Sequence, residues 1–422
     1  GYPGNKNRAL GGHFFGVCSF PSGDNSLDLF KETGFSGGEF WEPSAFSDLF
    51  SVSFSKRDVL TSVRISCEAE DNGIKAFFTG EAFNLEELGQ ESLESGTAKE
   101  SFDNPAQIAI WLYQRHGLQF PSKINGFFSI CMWDGREKSL VIYADRFGSA
   151  VPIYYCLHPR GLIFSSKLKT LARIEGKGLE IDQASLAIFL KYSYVPAPRT
   201  ILRGVFKLGP GEMLVYKESK IQKQRYTDFL TKERSFPNDD KAVEEYLEIL
   251  SSSIRKKIKG FDSARIGFFL SGGLDSSANV ALAALSGLKG FKTFGIGFND
   301  PKIDERPYAR IVANHFEVPF FEYVFDGSEI EDLPRMVWYL DEPFMENGLF
   351  LTHAGFRAAK GEVDLLVAGD GADQLFGTGG FAHGRPIAMR FLLERLYLRA
   401  ILDKKRKHLI YSSFYRDTPV YK

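Results

Sequence analysis

The first half of the chain has the hydrophobic pattern of a β protein. Between residue 12 and about residue 215, short apolar or alternating segments are separated by Gly, Asn and Asp. This pattern predicts short antiparallel strands in two packed sheets. The predicted strands are His13–Phe20, Ser62–Cys67, Lys75–Thr79, Gly126–Trp133, Ser139–Tyr143, Pro152–Cys156 and Leu162–Ser165. The pattern also predicts helices at Pro105–His116 and Asp182–Lys191.

The second half alternates between strand and helix patterns. Helical spacing is found at Lys241–Lys259, Pro307–Phe316 and Leu333–Leu340, and apolar strands are found at 264–270, 293–298, Pro319–Val324 and Asp364–Ala368. Such alternation predicts a parallel sheet with helices on both faces. We therefore predict an α+β domain over residues 1–215, a polar linker over 216–240 and an α/β domain over 241–422.

One segment of the second half has the composition of an anion site. An apolar strand ending at Leu270 is followed by S-G-G-L-D-S-S at 271–277 and then by an Ala- and Leu-rich helix. The free N–H groups of the first helical turn favour anions. Asp275 would repel a phosphate unless Mg²⁺ lay between them. The competing interpretation is an ordinary capped turn, since Ser and Asp are common there; we favour phosphate because the whole string follows a strand.

A second glycine-rich turn, G-D-G-A-D-Q-L-F-G at 369–377, follows the last predicted strand. Ligands of parallel sheets bind beyond the carboxyl ends of the strands, where both turns are predicted to lie. Asp373 in this turn is either a helix N-cap or a metal ligand. We favour the metal because the turn repeats the design of the first one.

Composition excludes several classes of protein. The net charge of −1 provides no strong field for nucleic acid or a membrane surface. No apolar run reaches the ~18 residues of a membrane span, and the first residues lack the apolar core of a signal peptide. The four Cys lie far apart, which argues against zinc and a disulfide framework. We expect a cytoplasmic enzyme.

Taken together, the two halves resemble the glutamine-dependent asparagine synthetase family. Three strings carry the resemblance in the second half: S-G-G-L-D-S-S at 271–277, L-D-E-P-F at 340–344 and A-G-D-G-A-D-Q-L-F-G at 368–377. In the first half the strings are I-N-G-F-F-S-I-C-M-W-D at 124–134, A-D-R-F-G at 144–148, P-I-Y-Y at 152–155 and K-L-G-P-G at 207–211. The resemblance implies an Ntn-hydrolase-like amidotransferase domain followed by an ATP-pyrophosphatase domain.

The resemblance also implies a reaction and its residues. A carboxylate attacks the α-phosphate of ATP, and a nitrogen nucleophile then displaces AMP to leave an amide. Asp275 and Asp373 would bind Mg²⁺, and Asp370 would act on the attacking amine where family synthetases have Glu. The residues implied in binding ATP and pyrophosphate are Leu270, Ser271, Gly272, Gly273, Asp275, Ser276, Ser277, Ile296 and Gly369.

The parts of the family that cut glutamine are missing. Gly12 aligns with the N-terminal nucleophilic Cys, Thr79 replaces the Asn of the oxyanion hole, and Pro105 lies where an Asp binds the glutamine amine. Loss of the nucleophile alone should stop glutamine hydrolysis. Our hypothesis is that the first domain is a glutaminase in fold only.

Three functions remain open. The first is a ligase that joins a carboxylate, aspartate by default, to ammonia or an amine. The second is an intramolecular amide, lactam or peptide cyclase, and the third is a nucleotide-binding scaffold without activity. A homodimer also remains open, as do the roles of two charged pairs. Asp341 and Glu342 are either site-lining or solvated, and Asp304 with Arg306 is either a ligand contact or a surface ion pair. We expect the basic tail at 393–408 to be a helix at the edge of the domain.

Overall fold

The structure is a computed structural model. It describes residues 14–18, 41–47, 50–55, 65–96, 104–148, 151–159, 161–174, 180–227, 239–346 and 348–372. Only the backbone is described for the strands that precede Cys67. The predicted site residue Asp373, the predicted tail helix and Gly12 lie outside the described residues.

Two antiparallel six-stranded sheets form the first domain. The first has the order β10-β8-β9-β1-β3-β2, with β1 Phe14–Cys18, β2 Trp41–Ser47, β3 Phe50–Ser55, β8 Tyr154–His158, β9 Gly161–Ser165 and β10 Phe206–Lys207. The second has the order β12-β11-β7-β6-β5-β4, with β4 Ile65–Asp71, β5 Ile74–Ala82, β6 Gly126–Asp134, β7 Ser139–Ala144, β11 Glu212–Lys217 and β12 Lys220–Arg225.

The two sheets pack face to face, and helices cover their outer faces. Alternation along β5 turns Phe77 toward the core between the sheets and Phe78 toward the outer core under the helices. The helices of this domain are α1 Leu85–Glu94, α2 Pro105–His116, α3 Leu168–Ile174 and α4 Gln183–Tyr192. Because both faces of the second sheet are covered, β7 is buried at every position. The predicted two-sheet fold is confirmed.

The predicted linker begins too early. Residues from Lys217 onward are polar, but β12 pairs with β11 from Lys220 to Arg225 and extends the second sheet. An edge strand needs few apolar side chains, because one of its sides faces water. Composition alone therefore made this strand resemble a linker. The other predicted domain boundaries remain predictions.

The second domain contains a parallel sheet of four strands in the order β15-β14-β13-β16. The strands are β13 Ile266–Phe269, β14 Lys292–Phe298, β15 Phe320–Phe325 and β16 Leu365–Val367, and the helices are α5 Asp239–Ile258, α6 Leu274–Leu285, α7 Arg306–His315, α8 Leu333–Leu340 and α9 Gly348–Ala359. Phe268 and Leu270 pack toward α5, α6 and α7, whereas Phe269 packs toward α9 through Phe356. The predicted α/β class is confirmed.

Candidate active site

Strand order decides where the site lies. After β13 the chain adds β14 and β15 on one side, and β16 then returns to pair with β13 on the other side. The strand order therefore reverses at β13, with β14 and β15 on one side of it and β16 on the other. Such a switch point leaves a crevice in which open α/β sheets bind their ligands. The segments that follow these two strands are the two glycine-rich turns.

The first turn depends on a glycine. Gly272 has φ of +87°, and a Cβ added there would lie 2.5 Å from Tyr308 Cβ and 2.6 Å from Ala309 N. A larger residue would therefore collide with the first turns of α7 as well as adopting a left-handed conformation. The turn is packed tightly against α7, which fixes the position of the segment that enters α6.

Serine side chains hold the turn closed. The hydroxyls of Ser271 and Ser276 lie 3.0 Å apart, and the Ser271 N–H donates to Ser276 Oγ at 3.2 Å. Gly273 is the N-cap of α6 and has no side chain to cap it, so the free N–H groups of the first helical turn face outward. Ser277 Oγ is buried and has no hydrogen-bond partner within the described part of the chain. This set of donors suits an anion.

The second turn meets the first. A Cβ added at Gly369 would lie 3.4 Å from both Asp275 Cβ and Ser276 N. Asn279 of α6 donates through Nδ2 to the carbonyl of Ala368 at 3.2 Å, which ties the two turns together. Asp370 follows directly and is exposed. The structure thus brings Asp275, Gly369 and Asp370 to one place, although they are almost one hundred residues apart in sequence.

The residues present fit a polyphosphate at this place. Gly369 lies against Asp275, whose side chain is exposed, and the buried Ser277 hydroxyl has no hydrogen-bond partner within the described residues. Within the described residues no cluster of three or more metal-ligating side chains exists. Magnesium ions at such sites use one or two carboxylates and the phosphates of the substrate, so Asp275 alone is compatible with one.

The family resemblance implies that Leu270 and Ile296 contact the adenine of ATP, but their side chains lie on opposite faces of the sheet. The Leu270 side chain is 1% exposed and belongs to the core beneath α6 and α7. Ile296 instead lies against α9, where its Cδ1 is 3.1 Å from the position of a Cβ added at Gly355. Leu270 can therefore approach a ligand only through its backbone. The adenine site remains a prediction.

Both charged pairs, Asp304 with Arg306 and Asp341 with Glu342, have partners within the protein. Arg306 donates from Nε and Nη2 to Asp304 at 2.8 and 2.9 Å, and a Cβ at Gly297 would lie only 2.1 Å from Arg306 Nε. Gly297 therefore provides the space for this ion pair, and the hydrogen bonds from Arg306 lower the pKa of Asp304. Asp341 and Glu342 contact the first domain instead of solvent.

Comparisons with known proteins cover both halves. The sequence model of the asparagine synthase family matches residues 245–420, and that of the glutamine amidotransferase domain matches residues 67–227. The second half of the chain thus matches an asparagine synthase domain, and most of the first half matches a glutamine amidotransferase domain. The asparagine synthase match contains both glycine-rich turns, and the glutamine amidotransferase match contains most of the second sheet and its helices. The family resemblance of the motifs is therefore confirmed.

Relatives in the asparagine synthetase family are distant and longer. Putative asparagine synthetase (glutamine-hydrolyzing) 2 of Methanocaldococcus jannaschii is 29% identical over 334 residues, which cover 78% of this chain and 63% of that protein. Asparagine synthetase (glutamine-hydrolyzing) 1 of Bacillus subtilis is 27% identical over 323 residues, covering 76% and 50%. The amidase chry2 of Gibberella zeae is 25% identical over 435 residues, covering 94% and 62%. The chain thus spans between half and two thirds of these relatives.

Among solved structures, the chain is similar to glutamine phosphoribosylpyrophosphate amidotransferase from B. subtilis. The identity is 11% and the TM-score is 0.35, with 87% of this chain and 93% of that chain covered. At that score the likeness supports no conclusion about this protein. Within the described residues no helix is both long and apolar enough to cross a bilayer.

Of the positions that the resemblance assigns to glutamine cleavage, Thr79, Gly80 and Pro105 are among the described residues, and each has a structural role. Thr79 is buried in β5. Next to it Gly80 has φ of +128°, and a Cβ there would lie 2.0 Å from the carbonyl oxygen of Phe127. Pro105 is the first residue of α2, after Asn104, whose side chain caps the helix by accepting the Ala106 N–H. The glycine is therefore required by strand packing, and the proline occupies a position that suits it at the start of a helix.

The sequence analysis missed two residues that shape the family site. Asn279 connects the two turns, and Tyr308 lies against Gly272. No local signal marks either residue, because each acts on a segment far away in sequence. The buried polar position within an Ala-rich helix is the only hint at Asn279.

Proposed function

We propose that this chain carries an ATP-dependent carbon–nitrogen ligase of the asparagine synthetase type. The observation that supports it best is the contact between the S-G-G-L-D-S-S turn and the turn that contains Asp370 at the switch point of the sheet. A donor-rich helix start thus lies beside an exposed carboxylate that could act on a nucleophile. Aspartate is the acceptor we propose first, because relatives are named asparagine synthetases.

The reaction we assign has two steps. A carboxylate oxygen of the acceptor attacks the α-phosphorus of ATP, the bond between the α-phosphorus and its bridging oxygen breaks, and pyrophosphate leaves. The nitrogen of ammonia or an amine then attacks the acyl carbon, AMP leaves, and the nitrogen gives up a proton to Asp370. The N–H groups of α6 and the hydroxyls of Ser271, Ser276 and Ser277 donate hydrogen bonds that stabilise the negative charge of the pyrophosphate.

Magnesium belongs to this proposal. Asp275 would hold it, with Asp373 as a second ligand, and its charge would be shared by the phosphate oxygens. Free thiols at Cys67, Cys131 and Cys156 agree with a reducing compartment such as the cytoplasm. We further propose that the first domain does not hydrolyse glutamine, so nitrogen arrives as ammonia or as part of a substrate. A glutaminase assay that shows turnover would contradict this point.

ATP–pyrophosphate exchange tests the assignment. Purified protein is incubated with MgATP, labelled pyrophosphate and each of a panel of carboxylic acids, and ammonia is added afterwards. We expect exchange with aspartate, and asparagine once ammonia is present. Asp275→Asn should reduce exchange about a hundredfold or more, because it removes the carboxylate proposed to hold Mg²⁺ beside the phosphates, and the loss of one such electrostatic contact costs about 10²–10³ in rate. Asp300→Asn, an exposed acid just after β14, is the matched control.

The other outcomes separate the alternatives. Exchange only with larger acids that contain an amine would favour the cyclase, since both reacting groups would then lie in one molecule. Two relatives are named amidases, so ammonia release from primary amides without ATP is measured in parallel. No exchange with any acid, together with ATP binding that Asp275→Asn abolishes, would favour the scaffold and refute the ligase.

A further inference from the structure

Three sequence motifs that the nucleotide site does not use meet in the fold. Tyr154 lies in P-I-Y-Y on β8, Lys207 begins K-L-G-P-G at the end of β10, and Glu342 lies in L-D-E-P-F after α8. The Tyr154 hydroxyl donates to Glu342 Oε2 at 3.0 Å, and Lys207 Nζ donates to the same oxygen at 2.5 Å. We call these three residues the clamp. It joins the first domain to the second.

The clamp is largely removed from water. The side chains of Lys207 and Glu342 are 19% and 13% exposed, and Lys207 also donates to the carbonyl of Val195 at 3.2 Å. Burial, together with the negative charge of Glu342, raises the pKa of Tyr154 far above its usual value. The hydroxyl therefore stays a donor. Removing one partner of such a pair leaves the other charge buried without compensation, which is strongly unfavourable.

Two further contacts hold the same loop. Asp341 accepts hydrogen bonds from the backbone N–H groups of Leu168 and Lys169, which begin α3, and its Oδ1 is 3.3 Å from Lys169 Nζ. Asp341 has φ of +70°, a conformation that a non-glycine residue keeps only when its surroundings enforce it. The Met345 N–H donates to the carbonyl of Ser193 at 2.9 Å. Residues 341–345 are thus fixed from the first domain at three points.

This loop lies at the edge of the sheet that contains the candidate active site. It precedes α9, and a Cβ at Gly355 of α9 would lie 2.3 Å from a ring carbon of Phe269, the last residue of β13. From Gly355, α9 continues to Ala359 and leads to the start of β16, which lies at the amino edge of the parallel sheet. Its first residue, Gly348, is seven residues before Gly355, so it lies about 10 Å beyond the end of β13. The loop that precedes α9 therefore lies beyond the carboxyl end of β13, which is the side of the sheet that also holds the crevice.

We propose that the first domain acts as a positioning platform: through the clamp it holds residues 341–345 where they border the acceptor side of the synthetase site. This inference rests on the proposed ligase function. It assigns Lys207 and Glu342 as positioning residues and gives the first domain a role that needs no glutamine hydrolysis. The S-G-G-L-D-S-S turn is on the α6 side of the sheet, so the clamp should affect the acceptor and leave ATP binding unchanged.

The first test is kinetic. Lys207→Met keeps the length of the side chain and removes its charge, and Glu342→Gln keeps the shape of its partner. We expect each to raise the KM for the acceptor about tenfold or more in the exchange assay, with the KM for ATP changed less than twofold. The double variant should lose less than the product of the two single losses, because both partners are then neutral. Lys217→Met removes a more exposed charge pair with Glu137, which lies within the first domain, and should change neither constant.

The second test does not need activity. Hydrogen–deuterium exchange of peptides that cover residues 341–346 should be at least several-fold faster in Lys207→Met than in the wild-type protein and unchanged in Lys217→Met. Equal rates of hydrogen–deuterium exchange at residues 341–346 in all three proteins would overturn the proposal. The proposal would also be overturned if the wild-type enzyme were active and the Lys207→Met and Lys217→Met variants had the same KM for the acceptor. A wild-type protein without pyrophosphate exchange would refute the ligase, while the deuterium measurement would still decide whether the clamp orders the loop.

Discussion

Gly272 permits the sharpest test of the candidate active site. Its φ is +87°, and a Cβ would lie 2.5 Å from Tyr308 Cβ and 2.6 Å from Ala309 N. The substitution Gly272→Ala therefore imposes two penalties, an unfavourable backbone conformation and a collision with α7. Gly287, just after α6, provides a matched control, because its φ is +86° and nothing lies within 4 Å of an added Cβ.

The difference between the two variants isolates the collision. A left-handed conformation costs an alanine about 1–2 kcal/mol, and overpacking against a well-packed element costs about 1–3 kcal/mol more. We expect Gly287→Ala to lower the free energy of unfolding by about 1–2 kcal/mol and Gly272→Ala by about 2–5 kcal/mol. The backbone strain is common to both variants, so their difference measures how closely the turn is packed on α7.

Urea unfolding and pyrophosphate exchange are the two assays. The midpoint and slope of unfolding give the free energies. Exchange should be lost in Gly272→Ala and retained in Gly287→Ala at temperatures where both proteins are folded, since only the first displaces the donor groups of α6. Equal destabilisation by the two substitutions, with exchange intact in both, would refute the geometry that we assign to the turn.

Two other predictions concern residues beside the site. Asn279→Ala should lower stability by about 1 kcal/mol, the value of a typical hydrogen bond, and raise the KM for ATP, because Ala368 is no longer tied to α6; unchanged kinetics would contradict this. The hydrogen bonds from Arg306 lower the pKa of Asp304 in the folded protein. The ion pair therefore stabilises the fold fully above the unfolded pKa of Asp, about 3.9, and this stabilisation is lost as the pH falls through the lower folded pKa. Asp304→Asn should therefore flatten the fall in unfolding free energy as the pH drops below about 4, and parallel wild-type and variant curves would count against the pair.

The sequence by itself determined the local elements and the chemistry of the phosphate turn. The helices Pro105–His116 and Leu333–Leu340 have their predicted ends, because N-terminal prolines and a periodic apolar face are local signals. The position of S-G-G-L-D-S-S between a buried strand and a helix was also readable, since strand, turn and helix adjoin in sequence. By contrast, α9 contains Gly348 and Gly355 and has no clean polar face, so periodicity did not predict it.

Only the tertiary structure decided which distant segments meet. The pairing of β16 with β13 brings Gly369 to Asp275, and nothing local in either strand specifies its neighbour in the sheet. The same holds for Tyr154, Lys207 and Glu342, which join through hydrogen bonds between separate domains. Local patterns follow from backbone geometry within a few residues, whereas these contacts form only when the packing of whole sheets fixes their partners. Long-range packing therefore created both the crevice and the clamp beside it.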